Sequence, residues 1–405
     1  MNCNYLIYII LDDYTKKMSL DMSLDIKNIV HSYFYDLRDT INLYNLNKDH
    51  QDNIIITNLY DIPEKYINRL NQQIIEQIKY KYLEKLDAHN NKRIKNVNHM
   101  KKTLKILYCR YSSEIDQNNI SELNLIELDA NENEKIKNVN HMKSTLKILY
   151  CCGDCGIDQN GISELNLIKL YTTNNKNIKN VNHMKNTLKI LYCGYNCGID
   201  QNGISELNLI ELNADNNEKI KNVNHMKKTL KKLNCYNGCG IDQNGIFELN
   251  LIELNATENE KIKNVNHMKS TLKILYCGNN NYGIDQNGIT ELNLIELNAG
   301  GNKKIKNVNH MKNTLKILYC GWDCGIDQNG ISELNLIELY ASANEKIENV
   351  NHMKSTLKIL DCGRDCGIDQ NGISELNLIE LYVRGNNKIE NVNHMKNMKN
   401  VRLLW

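Results

Sequence analysis

Leu188-Lys189-Ile190-Leu191-Tyr192-Cys193-Gly194-Tyr195-Asn196-Cys197-Gly198-Ile199 is followed, 21 residues on, by Leu209-Ile210-Glu211-Leu212-Asn213-Ala214-Asp215-Asn216-Asn217-Glu218-Lys219-Ile220. Both stretches obey one frame: leucine, two residues, leucine, one residue, cysteine or alanine, two residues, asparagine, two residues, isoleucine. The frame opens at Leu83, Leu86, Ala88, Asn91 and Ile94 and closes at Leu378, Leu381, Val383, Asn386 and Ile389, so about fifteen coils fill residues 83–394. The word Val-Asn-His-Met recurs at twice that period, with histidines at His99, His141, His183, His225, His267, His310, His352 and His394. Each step is 42 residues except one of 43, whose extra residue lies in Asn279-Asn280-Asn281. Two kinds of coil therefore alternate. A short fixed period implies a stacked array, because one coil cannot bury its own apolar face and neighbours must share a core.

Within a coil, an extended segment sends alternate side chains to opposite faces. Leu191 and Cys193 are expected inward, and Ile190, Tyr192 and Gly194 outward on a concave surface. Successive strands then form a parallel sheet at about 4.8 Å spacing. Where the strand turns, inward-pointing backbone groups lose their ladder partners, and a buried carboxamide can both donate to and accept from them. One kind of coil keeps that asparagine strictly, at Asn133, Asn175, Asn217, Asn259, Asn302, Asn344 and Asn386. The other drifts to Ser112, Asp154, Gly238, Asp323 and Asp365, keeping Asn196 and Asn280. A buried aspartate only accepts and is costly to desolvate, so these turns are expected to be held less firmly. Return segments are expected to differ too. Ile220, Val223 and Met226 suit a 3₁₀-like turn, whereas Ile199 to Leu209, through Asp200-Gln201-Asn202-Gly203, reads as irregular.

The frame resembles the leucine-rich-repeat signature L-x-x-L-x-L-x-x-N/C-x-L with one residue added before the last apolar position. The resemblance covers about four-fifths of the chain. It implies an α/β, β-dominated solenoid, a horseshoe or superhelix of about fifteen 21-residue coils, with a small all-α module at its N-terminus. The fold also implies a binding surface for protein partners. The asparagine-rich design as a whole resembles leucine-rich-repeat proteins of giant viruses, of the Mimivirus-like type, several of which carry F-box-like N-termini.

Residues 21–80 lie ahead of the array, expected from 81 to 405, and residues 1–20 are expected to be a loose tail or edge strand. Helical spacing runs through Ile26, Ile29, Val30 and Tyr33, then Leu37 and Ile41, then Ile67, Leu70, Ile74, Ile75 and Ile78, predicting helices near ten residues long. Ser32-Tyr33-Phe34, Asp36-Leu37-Arg38-Asp39, Leu43 and Leu46-Asn47-Lys48 resemble an F-box, although the Leu-Pro start and the late tryptophan of that family are absent. The resemblance implies a Skp-type adaptor bound through Ile29, Tyr33, Leu37, Leu43 and Leu46, and a place in a ubiquitin ligase. The other reading is that these helices only cap the array. At the far end, Met398, Val401, Leu403, Leu404 and Trp405 read as half a coil with the frame shifted by one residue.

The 405 residues include 50 Lys+Arg and 48 Asp+Glu, a net charge of +2. That balance gives no electrostatic reason for nucleic acid or an anionic membrane. Tyr5 to Leu11 is too short to span a bilayer and lacks the basic flank of a secretory signal. Tandem Met-Ser-Leu-Asp words at Met18 and Met22 leave the true start open. An intracellular, cytoplasmic protein (in a host cell, if viral) with reduced thiols is expected. Of 14 cysteines, Cys109, Cys151, Cys193, Cys235, Cys277, Cys320 and Cys362 alternate with Ala130, Thr172, Ala214, Ala256, Ala299, Ala341 and Val383 at the inward strand position. Cysteine acts there as a small apolar filler. Cys155, Cys197, Cys239, Cys324 and Cys366 form a second column read as loop packing. The histidines, two coils apart, read as convex-surface residues and not as ligands of a shared ion. No metal, cofactor or catalytic pattern is expected, and the Asp-Gln-Asn-Gly word reads as a turn.

Binding is expected on the concave face. Tyr108, Tyr150, Tyr192, Tyr276 and Tyr319 point outward there, joined by Tyr171, Tyr340 and Tyr382. Beside them runs an acidic row of Glu127, Glu211, Glu253, Glu296, Glu338 and Glu380, broken by Lys169. Tyrosine offers contact area at little entropic cost, and the carboxylates favour a basic protein over nucleic acid.

Overall fold

The computed structural model describes residues 56–59, 67–77, 80–279, 283–396 and 399–402. Two compact units divide the chain, residues 1–125 and 126–405. Each is a stretch of β-dominated leucine-rich-repeat solenoid.

The first unit has three described strands, β1 (Asn58–Leu59), β2 (Lys85–Asp87) and β3 (Ile106–Tyr108). They pair in parallel, Leu59 against Leu86 and Leu86 against Leu107. Among the described residues the earliest parallel pairing is Asn58 with Lys85. One four-residue helix, α1 (Gln72–Ile75), stands where the spacing predicts a longer one. Asn71 begins it, its side chain accepting from the Ile74 N–H at 3.0 Å. The helix stops there because the segment has to serve the next coil. Asn91 donates to the carbonyls of Ile67 (2.7 Å) and Leu70 (3.1 Å), and Gln72 accepts from the amides of Lys95 and Asn96. Ile29, Tyr33, Leu37, Leu43 and Leu46 lie outside the described residues.

The second unit holds fourteen described strands, β4 (Glu127–Asp129) to β17 (Asn400–Arg402). β7 is Ile190–Tyr192, β8 Glu211–Asn213, β9 Lys232–Asn234, β10 Glu253–Asn255 and β11 Ile274–Tyr276. The register places leucine on leucine from β4 to β16 (Glu380–Tyr382), as in Leu191↔Leu212↔Leu233↔Leu254. Every one of these leucines is buried, a gain of about 1.5–3 kcal/mol each. At the C-terminal end β17 pairs in parallel with β16, Val401 opposite Leu381, a step of one residue less than the 21 of the coils before it.

The asparagine column behaves as its chemistry demands. Asn217 is buried and donates to the carbonyls of Cys193 (2.8 Å) and Ile199 (3.1 Å), and its oxygen accepts from the Lys219 N–H at 3.0 Å. Asn175, Asn259, Asn302, Asn344 and Asn386 repeat the double donation one coil pair after another.

The intervening cysteine coils differ from expectation. Asp154, Asn196, Gly238, Asp323 and Asp365 are exposed, not buried at the turn. The cysteine one residue later takes the inward place, and Cys155, Cys197, Cys239, Cys324 and Cys366 are all buried. The chain turns one residue later because the thiol needs only one weak contact, such as the Ile157 N–H to Cys155 Sγ at 3.5 Å. The aspartates thereby escape desolvation. The carbonyls of Cys197, Cys239, Cys324 and Cys366 each accept instead from the ammonium of Lys219, Lys261, Lys346 or Lys388, at 3.0–3.2 Å. Gly194 is likewise buried, not displayed outward, because Asp215 of the next coil covers it.

Both return segments are regular. Asn224–Met226 forms the expected 3₁₀ turn, and Asn202–Ile204, read as irregular, forms another. Asp200 orders it by accepting from the Gly203 N–H at 2.9 Å. Gly203 is required because a Cβ there would run into the Lys179 carbonyl. In the Lys232–Asn234 coil this turn lengthens to an α-helix, α2 (Gln243–Ile246), as it does at α1 in the first unit.

Burial pushes the strand thiols Cys151, Cys193, Cys235 and Cys320 well above the ordinary range, and Cys239 and Cys324 up to about 11. An unfolded thiol ionises near pH 9 while these stay protonated, so their contribution is full below pH 9 and is lost above it. Each buried thiol then costs about 1.4 kcal/mol per pH unit. Urea midpoints should fall steeply between pH 9 and 10.5, and less steeply in Cys193→Ala. Two further variants rank the turn devices. Asn217→Ala leaves two carbonyls unpaired and should cost about 3 kcal/mol, against about 1 kcal/mol for Cys197→Ala. Urea unfolding at pH 7 measures both, and equal costs would contradict the ranking.

Candidate protein-binding face

On each strand from β4 to β16 the middle leucine is buried, and its two neighbours face solvent except Asp129 of β4, which is buried. Parallel in-register stacking turns those neighbours into columns. The first column reads Glu127, Ile148, Lys169, Ile190, Glu211, Lys232, Glu253, Ile274, Glu296, Ile317, Glu338, Ile359 and Glu380. The last column reads Asp129, Tyr150, Tyr171, Tyr192, Asn213, Asn234, Asn255, Tyr276, Asn298, Tyr319, Tyr340, Asp361 and Tyr382. The expected tyrosines and glutamates of this unit are thus on one face. Tyr108 belongs to the first unit, half-buried on β3, with the Arg110 guanidinium 5.8 Å from its ring centroid.

Strand spacing is close to ring-stacking distance, so adjacent tyrosines stack. Tyr150 and Tyr171 have centroids 4.3 Å apart and nearly parallel planes, Tyr171 and Tyr192 lie at 4.7 Å, and Tyr319 and Tyr340 at 4.3 Å. The phenols hold the carboxylates. Tyr192 donates to Glu211 (2.5 Å), Tyr276 to Glu296 (2.8 Å), Tyr340 to Glu338 (2.8 Å) and Tyr382 to Glu380 (2.6 Å). Burial, then the neighbouring carboxylate, raises the phenol pKa values of Tyr192, Tyr276 and Tyr340, so they stay donors. For Tyr150 and Tyr171 burial again leads.

Two features of the face are not in the sequence reading. Asn213, Asn234 and Asn255 interrupt the tyrosines with three adjacent carboxamides whose oxygens accept from the amides of Asp215, Tyr236 and Thr257 at 3.0–3.1 Å. Lys232 stands where its sister coils carry isoleucine and pairs with Glu253 at 2.8 Å. A shallow depression of about 280 Å³ lies here, between Tyr192 and Tyr276. The second feature is a column one residue earlier, in which Ile126, Ile168, Ile210, Ile252, Ile295 and Ile337 are 42–47% exposed. Lysines alternate with them at Lys147, Lys189, Lys231, Lys273, Lys316 and Lys358. Comparing strand positions between coil types would have found both.

Opposite the sheet, the histidines do lie beside lysines. His183, His225, His310 and His352 are exposed and contact the carbonyls of Ile162, Ile204, Ile289 and Ile331 in the preceding coil at 3.0–3.1 Å. Lys143, Lys185, Lys269, Lys312 and Lys354 pair with Glu164, Glu206, Glu291, Glu333 and Glu375 at 2.5–2.6 Å. Such exposed pairs contribute little stability. Among the described residues no group of three His, Cys, Asp or Glu side chains could hold a metal ion, and no helix is long and apolar enough to cross a membrane.

No protein-family model matches the chain, and no curated protein matches it. Solved structures do. A functional domain of InlJ from Listeria monocytogenes that includes a cysteine ladder is 21% identical, with a TM-score of 0.47 over 75% of this chain and 68% of that one. Yeast Rad7 in complex with Elc1 is 16% identical, with a TM-score of 0.45 over 88% and 96%. The internalin InlF of Listeria monocytogenes is 16% identical, with a TM-score of 0.41 over 85% and 99%.

The polar patch at β9 is a surface feature and not a structural need, since sister coils fold with isoleucine and tyrosine in its place. Lys232→Ile with Asn234→Tyr should therefore change stability by less than about 1 kcal/mol. A urea midpoint measurement checks this, and a larger loss would make the patch a folding element.

Proposed function

We propose that this chain is a non-catalytic protein-binding scaffold that holds a basic partner on the tyrosine- and glutamate-bearing face of its sheet. The observation that carries the reading is the row of phenol-held carboxylates at Glu211, Glu296, Glu338 and Glu380. Their hydroxyl donors fix them before a partner arrives, which reduces the ordering cost of binding. Stacked tyrosines beside them supply rigid contact area. The repeat design resembling giant-virus proteins supports a place in the cytoplasm of a host cell.

A second element of the proposal is recruitment. The F-box-like words at Ser32 to Lys48 support a Skp-type adaptor bound at the N-terminus, which would make the scaffold the substrate-holding subunit of a ubiquitin ligase. The alternative is a structural or host-interaction repeat protein whose N-terminal segment only caps the array.

The full chain tests both elements. Proteins retained from a eukaryotic cell extract should carry basic surfaces. Glu296→Lys with Glu338→Lys should weaken their retention at least about tenfold. Retention unchanged by charge reversal would remove the face from the reading. A purified Skp-type adaptor should bind the full chain and fail to bind Leu37→Asp or Leu43→Asp variants of unchanged circular dichroism. No adaptor binding at micromolar concentration would leave the capped scaffold alone.

A further inference from the structure

Charge on the outer face alternates with coil type. Each alanine coil from β8 onward presents a glutamate at the first strand position: Glu211, Glu253, Glu296, Glu338 and Glu380. Each cysteine coil instead carries a lysine just before its strand: Lys189, Lys231, Lys273, Lys316 and Lys358. With strands about 4.8 Å apart, like charges recur about every 9.6 Å. A ligand whose cations keep that spacing meets a glutamate coil every time and never a lysine coil. A spacing that is not a whole multiple of it brings some of its cations onto lysine coils.

The strip from Glu296 to Glu380 is the most regular part, because Glu253 is already paired with Lys232. Its three carboxylates are held by Tyr276, Tyr340 and Tyr382. At Glu296 and Glu338 a carboxylate that accepts one phenol keeps lone pairs for an incoming cation. Between them Ile317 and Ile359 present half-buried apolar surface, and Tyr319 and Tyr340 stack. The first strand column of the strip therefore alternates acid and apolar along its length, while Asp361 adds a carboxylate to the last column on β15 (Ile359–Asp361).

Three backbone geometries can be laid along it. A β-strand brings side chains to one side every two residues, about 6.7 Å, and is out of step at once. An α-helix returns to the same face after seven residues, about 10.5 Å, and drifts about 1.8 Å over two steps. A polyproline-II helix has three residues per turn at 3.1 Å, which repeats at about 9.3 Å and drifts only about 0.6 Å over two steps. Its preformed backbone also suits aromatic surfaces, since little entropy is lost on docking.

Resting on the protein-binding reading above, we infer that the strip from Glu296 to Glu380 takes a polyproline-II segment with a basic residue at every third position. The cations meet Glu296, Glu338 and Glu380. The intervening residues lie over the isoleucines and tyrosines.

The test uses the full chain and labelled twelve-residue peptides of one composition, four arginines and eight prolines. Arginine is placed every third residue, every second residue, or in one block, and an alanine-based helix with arginine every seventh residue is added. Fluorescence anisotropy should give at least about tenfold tighter binding for the every-third peptide, a gap of about 1.4 kcal/mol. That advantage should vanish in Glu296→Gln/Glu338→Gln/Glu380→Gln and persist in Glu164→Gln, which lies opposite the sheet in an exposed pair with Lys143. Tyr340→Phe, which keeps the ring and removes the hydroxyl, should weaken binding several-fold and serves if the triple variant misfolds. Equal binding by all isomers would overturn the spacing argument while leaving a basic-partner face intact. Tightest binding by the helix, or no binding by any peptide, would also overturn it. The broader reading falls only if the charge-reversal retention assay fails as well.

Discussion

A buried carboxamide with no water to turn to sets the terms for this fold. Every coil must bend its backbone at the end of a three-residue strand, and the bend points carbonyls into the core. Asn217 satisfies two carbonyls of the preceding coil and an amide of its own. No aliphatic side chain can replace it, and aspartate would lack the donors. One such residue in every second coil is enough, because the coil between can use a thiol and borrow a lysine ammonium from outside. The two-type alternation, the cysteine columns and the position of the lysines all follow from that division of labour.

The interior fixes spacing and leaves the outer face free to vary. Leucine stacks on leucine at every strand, so whatever stands beside it becomes a straight column at strand spacing. That is close to the distance at which aromatic rings stack, and tyrosines in adjacent coils do so without further design. The acidic and lysine columns inherit the two-coil period of the core. A surface pattern with a definite wavelength is thus a by-product of how the turns are satisfied, and a partner with a matching wavelength can use it.

Most of the frame was legible in the sequence because leucine spacing reports burial directly. The inward leucines, the cysteine and alanine filler, the asparagine column and the 3₁₀ turn at Val-Asn-His-Met all stand where the pattern puts them. The cysteine-coil turns did not read correctly. A frame written around asparagine assigned the inward site to Asp154 or Asn196, whereas the thiol one residue later occupies it. Hydrophobic pattern alone cannot separate two adjacent candidates in a turn. Gly194 was misplaced because alternation continues only as far as the strand does. The short helix at Gln72–Ile75 was hidden by isoleucine spacing that suits a short helical turn as well as a long helix. On the outer face, the tyrosines and glutamates were legible as columns. The Asn213–Asn234–Asn255 interruption and the exposed isoleucines were not, because they emerge only when strands are set side by side.

The direction of the asparagine bonds has a mechanical meaning. In the second unit each carboxamide reaches back from an alanine coil into the cysteine coil before it, as do the lysines that cap the cysteine carbonyls. From an alanine coil to the cysteine coil after it, the side-chain links are mostly exposed ones, such as Lys185 to Glu206 and Asn182 to the Asn202 carbonyl. Junctions of unequal strength therefore alternate along the array. Pulled from one end, it would part at the weaker junctions and pay out chain two coils at a time. Each event would release about 42 residues, roughly 140–150 Å of extended polypeptide, so the protein under load would behave as a ratchet of paired links and not as a continuous spring.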